Sequence, residues 1–363
     1  MKKFILGTLT FALAVIIIFT LAFAFIPSGR MGDVYERITS PLQSSIVIGT
    51  SRAAQAVNPE IINSRLKTAS FTPLYNFAFH LDASSYNEVY ETAIYKKLAP
   101  CINRRNIFVI AVDPWAVRKL DSIPRELALH SYSQSPNMEY IAKNFSRSWF
   151  SPLPTHSFVN KYGRTEVDYV PKTKEEWEKR VDMRLAAYID MAKKYCYDQN
   201  SQYVLERIID TLKKRGDIFL VRIPVSKPMR NLENKICPDF DDRMFTISKK
   251  HAIAYFDFKK ADYKTTDGNH MTQSEGNRFS KELADSIACI FSNLKEPFLT
   301  AKKPAIKGIL GTRKSFCVSS TCSRQKLYAF CEKIQAIYFK IYGLYFEICA
   351  LCFFRHFEGF VFL

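Results

Sequence analysis

The sequence predicts an α/β protein: a three-layer α/β/α sandwich around a mostly parallel sheet, preceded by one transmembrane helix. Three observations predict it. Apolar runs at 45–49, 107–112, 217–223 and 254–258 alternate with stretches of helical periodicity. The first and last of these runs lead through a Gly-bearing turn or loop into a helix, as strands of a parallel sheet do. An uncharged run of 23 residues, Phe4 to Ile26, is long enough to cross a bilayer.

In chain order, Lys2 and Lys3 precede the apolar run and favour a cytoplasmic amino terminus, which carries everything after Pro27 across the membrane. Ala22-Phe23-Ala24 also fits a signal-peptidase site, so residues 1–26 are an anchor or a cleaved signal. The run is longer than a usual signal core, which favours the anchor. Either way the body is exported, to the periplasmic or extracytoplasmic side of the inner membrane, away from cytosolic ATP and NADH. Residues 27–44, broken at Ser40-Pro41, read as a linker to a domain spanning 45–295.

Within that domain Ser45 to Gly49 is the first strand, followed by a helix over Ala53–Leu66 and an extended segment over Thr68–Phe79. Tyr86–Leu98 places Val89, Ala93, Ile94 and Leu98 on one helical face. Ile107–Val112 is apolar throughout, as a strand covered on both faces should be. Residues 116–200 break the alternation with five prolines, Trp149, Trp177 and a helix over Glu175–Tyr195; they read as an inserted cap facing substrate. The rhythm resumes with a helix over Tyr203–Arg215, a strand at 217–223, helical sequence over Asn234–Lys250 and a strand at 254–258. A last helix, Gln273–Ser292, opens with Thr272 and Glu275 spaced as a capping box.

The tail, 296–363, contains no Asp and is crowded with Phe, Tyr and five of the nine cysteines. It is either a second membrane-associated helix or sequence not selected to fold. Cys101, Cys196, Cys237 and Cys289, in the body, lack metal-ligand spacing, so no metal site is expected. The net charge of +17 does not mark a nucleic-acid protein. The first 295 residues hold 42 Lys and Arg against 31 Asp and Glu, spread along the chain with no basic run or reading motif. Such a diffuse field suits an anionic surface polymer or a membrane face.

Two motifs carry chemistry. Ser51 follows the first strand at a turn, where neighbouring backbone N–H groups point at developing negative charge. Thr265-Thr266-Asp267-Gly268-Asn269-His270 precedes the last helix; an Asp three residues before a His can accept its Nδ1–H and leave Nε2 free as a base. A serine needs such a base to become a nucleophile. Taken singly, Ser51 reads first as a helix cap and Asp267-Gly268 as an ordinary turn; it is their joint occurrence that points to chemistry. Both stretches precede helices at one sheet edge, so the two side chains can meet.

A Gly-x-Ser after the first strand and an Asp-x-x-His before the last helix resemble the SGNH/GDSL hydrolase superfamily. With the membrane helix, Gly49-Thr50-Ser51-Arg52 and Asp267-Gly268-Asn269-His270 resemble its envelope branch, related to alginate O-acetylation proteins. The resemblance spans about 45–292. It implies a flavodoxin-like sandwich and acyl-ester chemistry without a cofactor, with Ser51 as nucleophile, His270 as base and Asp267 as its orienting partner. It further implies a glycan substrate and a membrane acyltransferase as partner. Gly-Thr-Ser replaces the usual Gly-Asp-Ser, and the family's Gly-x-Asn-Asp block has no counterpart after 107–112, where Asp113-Pro114-Trp115 stands. The oxyanion donors expected are therefore the Ser51 N–H and the Asn76 side chain, the latter equally readable as satisfying backbone in a turn. Arg52 and Arg222, at strand ends, read as anion holders or as partners of structural carboxylates such as Asp113, and Trp115 and Trp149 as rings for sugar stacking or as packing. The alternative to an enzyme is an inactive glycan-binding or assembly protein that keeps the sandwich.

Overall fold

A computed structural model describes residues 1–24, 31–66, 71–100, 105–122, 125–150 and 157–293. The expectations for Cys101 and for the tail from 296 lie outside the described residues. Helix α1 (Lys2–Ala24) is the apolar run, with mean hydropathy 2.0 over Lys2–Phe19. At about 1.5 Å per residue it is long enough for the ~30 Å hydrocarbon layer.

Residues 31–44, expected as linker, instead contain helix α2 (Asp33–Thr39), whose Val34, Tyr35 and Ile38 are buried in the core. Its Arg37 is buried too and donates to Gly163 O (2.9 Å) and Thr165 Oγ1 (2.6 Å). Strand β1 (Ser45–Ile48) leads into α3 (Ser51–Ala56), and α4 (Pro59–Arg65) follows. The single helix expected here is two because Asn58 caps α4 through the Glu60 N–H (3.0 Å) and Pro59 occupies its first turn. Next come β2 (Leu74–Asn76), α5 (Leu81–Ser84), α6 (Glu88–Lys97) and β3 (Asn106–Val112).

The region after β3 holds α7 (Met138–Asn144), an antiparallel hairpin of β4 (Ser157–Val159) with β5 (Thr165–Val167), and α8 (Lys174–Ala192). Then follow α9 (Gln199–Lys213), β6 (Gly216–Arg222), α10 (Lys227–Ile236), α11 (Phe240–Lys250), β7 (Ala254–Asp257) and α12 (Gln273–Asn293). Here too one expected helix is two, since Pro238 lies between α10 and α11.

The main sheet has five parallel strands in the order β2-β1-β3-β6-β7. Side chains alternate across it. Ile46, Ile48, Phe108, Ile110, Ile218 and Leu220 pack toward α2, α6, α9 and α11. Val47, Val109, Ala111, Phe219 and Val221 pack toward α3, α4 and α12. The result is the three-layer α/β/α arrangement, with β1 and β3 buried along their whole length.

The β1–α3 turn depends on Gly49, at φ +142°. A Cβ there would sit 2.8 Å from the Ala111 Cβ and 3.2 Å from the Ala53 Cβ. Gly49→Ala is therefore expected to lose about 1–3 kcal/mol from overpacking, read as a lower urea midpoint; an unchanged midpoint would show the turn has room.

Candidate active site

The turn after β1 determines what Ser51 faces. Thr50 occupies the cap position of α3, yet its hydroxyl does not cap. It donates to Asp113 Oδ2 at 2.8 Å, and Asp113 also accepts the Ala116 N–H. Ser51 is the first residue of the helix rather than its cap, which leaves its hydroxyl free. The loop between β7 and α12 closes through the Thr266 N–H donating to His270 O at 2.8 Å. Gly268, at φ +80°, turns the chain so that the N–H groups of Asn269 and His270 both donate to Asp267 Oδ1, at 3.0 and 2.9 Å.

These two loops meet at the carboxyl edge of the sheet. Ser51 Oγ lies 2.8 Å from His270 Nε2, and His270 Nδ1 lies 2.9 Å from Asp267 Oδ2. Arg184, on α8, donates to the same Oδ2 at 2.8 Å. Burial alone would push the Asp267 carboxyl up. Its hydrogen bond and charge interaction with His270, together with Arg184, outweigh that and hold it well below the usual carboxylate range.

The pair opens on a cleft of about 580 Å³, whose walls include Ser51, Gln55, Tyr169, Arg180, Arg184 and His270. Gln55 is one turn along α3 from Ser51, and helical side chains lean toward the amino terminus. Its carboxamide has no hydrogen-bond partner among the described residues. Arg180 donates to Thr266 O at 3.2 Å and stacks on Tyr169 at 4.2 Å. Sequence reasoning assigned no role to Gln55, Arg180 or Arg184. For the two arginines the available signal was their i, i+4 spacing on one helix of the inserted region.

Four sequence candidates sit elsewhere. Arg52, 3% exposed, donates to Glu233 Oε1 at 2.5 Å and to Asn269 Oδ1 through Nε (2.9 Å) and Nη2 (2.7 Å). Arg222, 2% exposed, donates to Glu233 Oε2 at 2.5 Å and packs over Phe240. Trp115, 1% exposed, donates its indole N–H to Glu233 Oε1 at 2.9 Å. The three converge on a buried glutamate beneath the site and none lines the cleft, so they are corrected from ligand holders to structural groups. Burial opposes the charge on Glu233, but Arg52 and Arg222 overcome it and lower its pKa. Asn76 is corrected as well. Its amide nitrogen donates to Ala53 O and Val57 O, both at 2.9 Å, and its oxygen accepts the Ala78 N–H, so nothing remains for an oxyanion. Trp149 is likewise buried. Among the described residues no group of three or more His, Cys, Asp or Glu side chains is placed to hold a metal ion.

No protein-family model matches the sequence, and no curated protein matches it. Among solved structures, the chain is similar to Est24, a carbohydrate acetylesterase from Sinorhizobium meliloti. The TM-score is 0.36 at 8% identity, over 68% of this chain and 99% of that one.

Proposed function

We propose that the chain is a membrane-anchored, serine-dependent O-acyl esterase or acyltransferase acting on a cell-envelope glycan. The observation that carries this reading is the continuous line from Asp267 through His270 to Ser51 at the mouth of a cleft. In the reaction, Ser51 Oγ bonds to the acyl carbon as His270 Nε2 takes its proton. The tetrahedral intermediate collapses, and the departing alkoxide takes the proton back from Nε2. Water or a sugar hydroxyl then repeats the sequence on the acyl-enzyme.

The Ser51 N–H and the Gln55 carboxamide are the donors we assign to the oxyanion. Losing one donor of this kind lowers kcat by about 10²–10³-fold, and Gln55→Ala is expected to do so at nearly constant KM. An unchanged kcat would remove Gln55 from that role. The glycan and the envelope setting rest on the motif resemblance and the apolar α1 helix, and a membrane acyltransferase is the partner we assign as acyl donor. Of the two arginines on the cleft wall Arg184 is paired with Asp267, so Arg180 is the cation we assign to an acidic glycan.

The function is tested with the purified full chain on a chromogenic acetyl ester, with neutral or acidic oligosaccharide acceptors. Ester cleavage accelerated by an acceptor, with acetyl appearing on the sugar, is expected for transfer; cleavage indifferent to acceptor makes the chain an esterase. No cleavage at all favours the second reading, an inactive glycan-binding or assembly protein. One observation supports that second reading: Asn76, the expected side-chain oxyanion donor, is wholly taken up by backbone.

A further inference from the structure

Asn269 stands behind the base and outside the cleft, 1% exposed. A guanidinium can only donate, so the two contacts from Arg52 fix the carboxamide with its oxygen toward Arg52. The nitrogen then faces the other way. It lies 3.2 Å from Tyr188 Oη and 3.2 Å from His270 Nε2. An amide N–H can approach a ring nitrogen favourably only where that nitrogen carries a lone pair. Nε2 is the same atom that accepts from Ser51.

We propose that Asn269, oriented by Arg52, is a positioning residue for the general base: it holds His270 in the tautomer with Nδ1 protonated and Nε2 an acceptor toward Ser51. Asp267 selects that tautomer from one side of the ring and Asn269 from the other. The inference rests on the proposed acyl transfer for its catalytic consequence, though its geometry is independent of that reading. Once Nε2 takes the serine proton, it faces a second donor, so the proton is readily passed on to the leaving alcohol.

The charged and titratable groups around the ring are Asp267 on its own loop, Arg52 on α3, Arg184 and Tyr188 on α8, and Glu233 on α10 behind Arg52. The cleft is also lined by Asp33, His80 and Arg180, the last on α8 and bonded to Thr266 O of the same loop. Among the described residues none of these side chains has a hydrogen-bond contact with Nε2; Ser51 and Asn269 do.

The test is Asn269→Asp, nearly isosteric and still an acceptor for Arg52, read in the full-length chain labelled with ¹⁵N-histidine. In the parent, the His270 ring is expected to show one protonated nitrogen, Nδ1, and one unprotonated, Nε2. In Asn269→Asp the carboxylate accepts from Nε2–H, so both nitrogens become protonated at neutral pH. The acid limb of kcat/KM then moves upward by about 1–3 pH units, as a new opposite charge at contact distance dictates. Asn269→Ser, whose side chain is one bond too short to reach Nε2, is a second variant. It is expected to let the Nε2–H tautomer appear and to lower kcat more than it changes KM. An unaltered ring protonation pattern in either folded variant would overturn the proposal. A changed pattern in a chain without ester turnover would leave Asn269 in its role and defeat the proposed function instead.

Discussion

Replacing Ser51 with Ala is expected to lower kcat for acetyl-ester cleavage by about 10⁶-fold, and Asp267→Asn by about 10⁴-fold. The two numbers have different origins. Ser51→Ala removes the bond-forming oxygen, whereas Asp267→Asn leaves the nucleophile and presents His270 with an amide that favours the wrong tautomer. Ser51 is half-buried and makes its side-chain contact with His270, so its loss should barely move thermal unfolding. Because the residues act as one unit, Ser51→Ala combined with His270→Ala should be hardly slower than Ser51→Ala alone. Steady-state rates on the three variants check this. Retention of more than about a tenth of the parent rate by Ser51→Ala would remove the serine from the chemistry.

The second large effect is on stability. Glu233 is the one acid between two buried guanidinium groups, with Arg52 and Arg222 each at 2.5 Å and the Trp115 indole N–H at 2.9 Å. Glu233→Gln removes the charge the two arginines share, leaving Arg222 only the longer contact with Asp241 at 3.4 Å, which costs about 3–5 kcal/mol. The same site gives the parent an acid sensitivity. The folded-state pKa of Glu233 lies below its unfolded value, so the unfolded chain binds the proton more readily. Its contribution is fully present above the unfolded value, about 4.3, and is lost as pH falls through the lower folded one. Urea midpoints from neutral pH downward should fall in the parent and fall less steeply in Glu233→Gln. Equal midpoints at neutral pH would mean the three groups are better solvated than their burial implies.

The sheet was legible because strands covered on both faces are apolar throughout, as Ile107–Val112 is, and their alternation with helices implies parallel pairing. The spatial order β2-β1-β3-β6-β7 was not, since alternation does not say which side of the sheet each crossover takes. Helix ends were less legible than the strands. Val57-Asn58-Pro59 and Pro238 divide helices that periodicity alone runs together, and seven residues of α2 are too few to show a period. Ser51 and His270 could be paired in advance because each precedes a helix at one edge of a parallel sheet. Arg52 and Arg222 could not be oriented, since nearness to a strand end says nothing of direction. Arg52 is turned about 100° from Ser51 around α3, and Arg222 lies on the Ile218–Leu220 side of its strand. Glu233 did leave a trace. It falls in the apolar stripe of Met229, Leu232 and Ile236, where an acid has to meet buried cations. Asn269 left none, because its role comes from contacts with α3 and α8.

The central claim is that an imidazole takes a proton from the Ser51 hydroxyl. Labelling the purified full chain with a fluorophosphonate and locating the adduct by peptide mass spectrometry measures it most directly. One adduct, on Ser51, formed far more slowly in His270→Ala and absent in Ser51→Ala, is the result predicted here; labelling that is equal in all three proteins, or that falls on another residue, contradicts it.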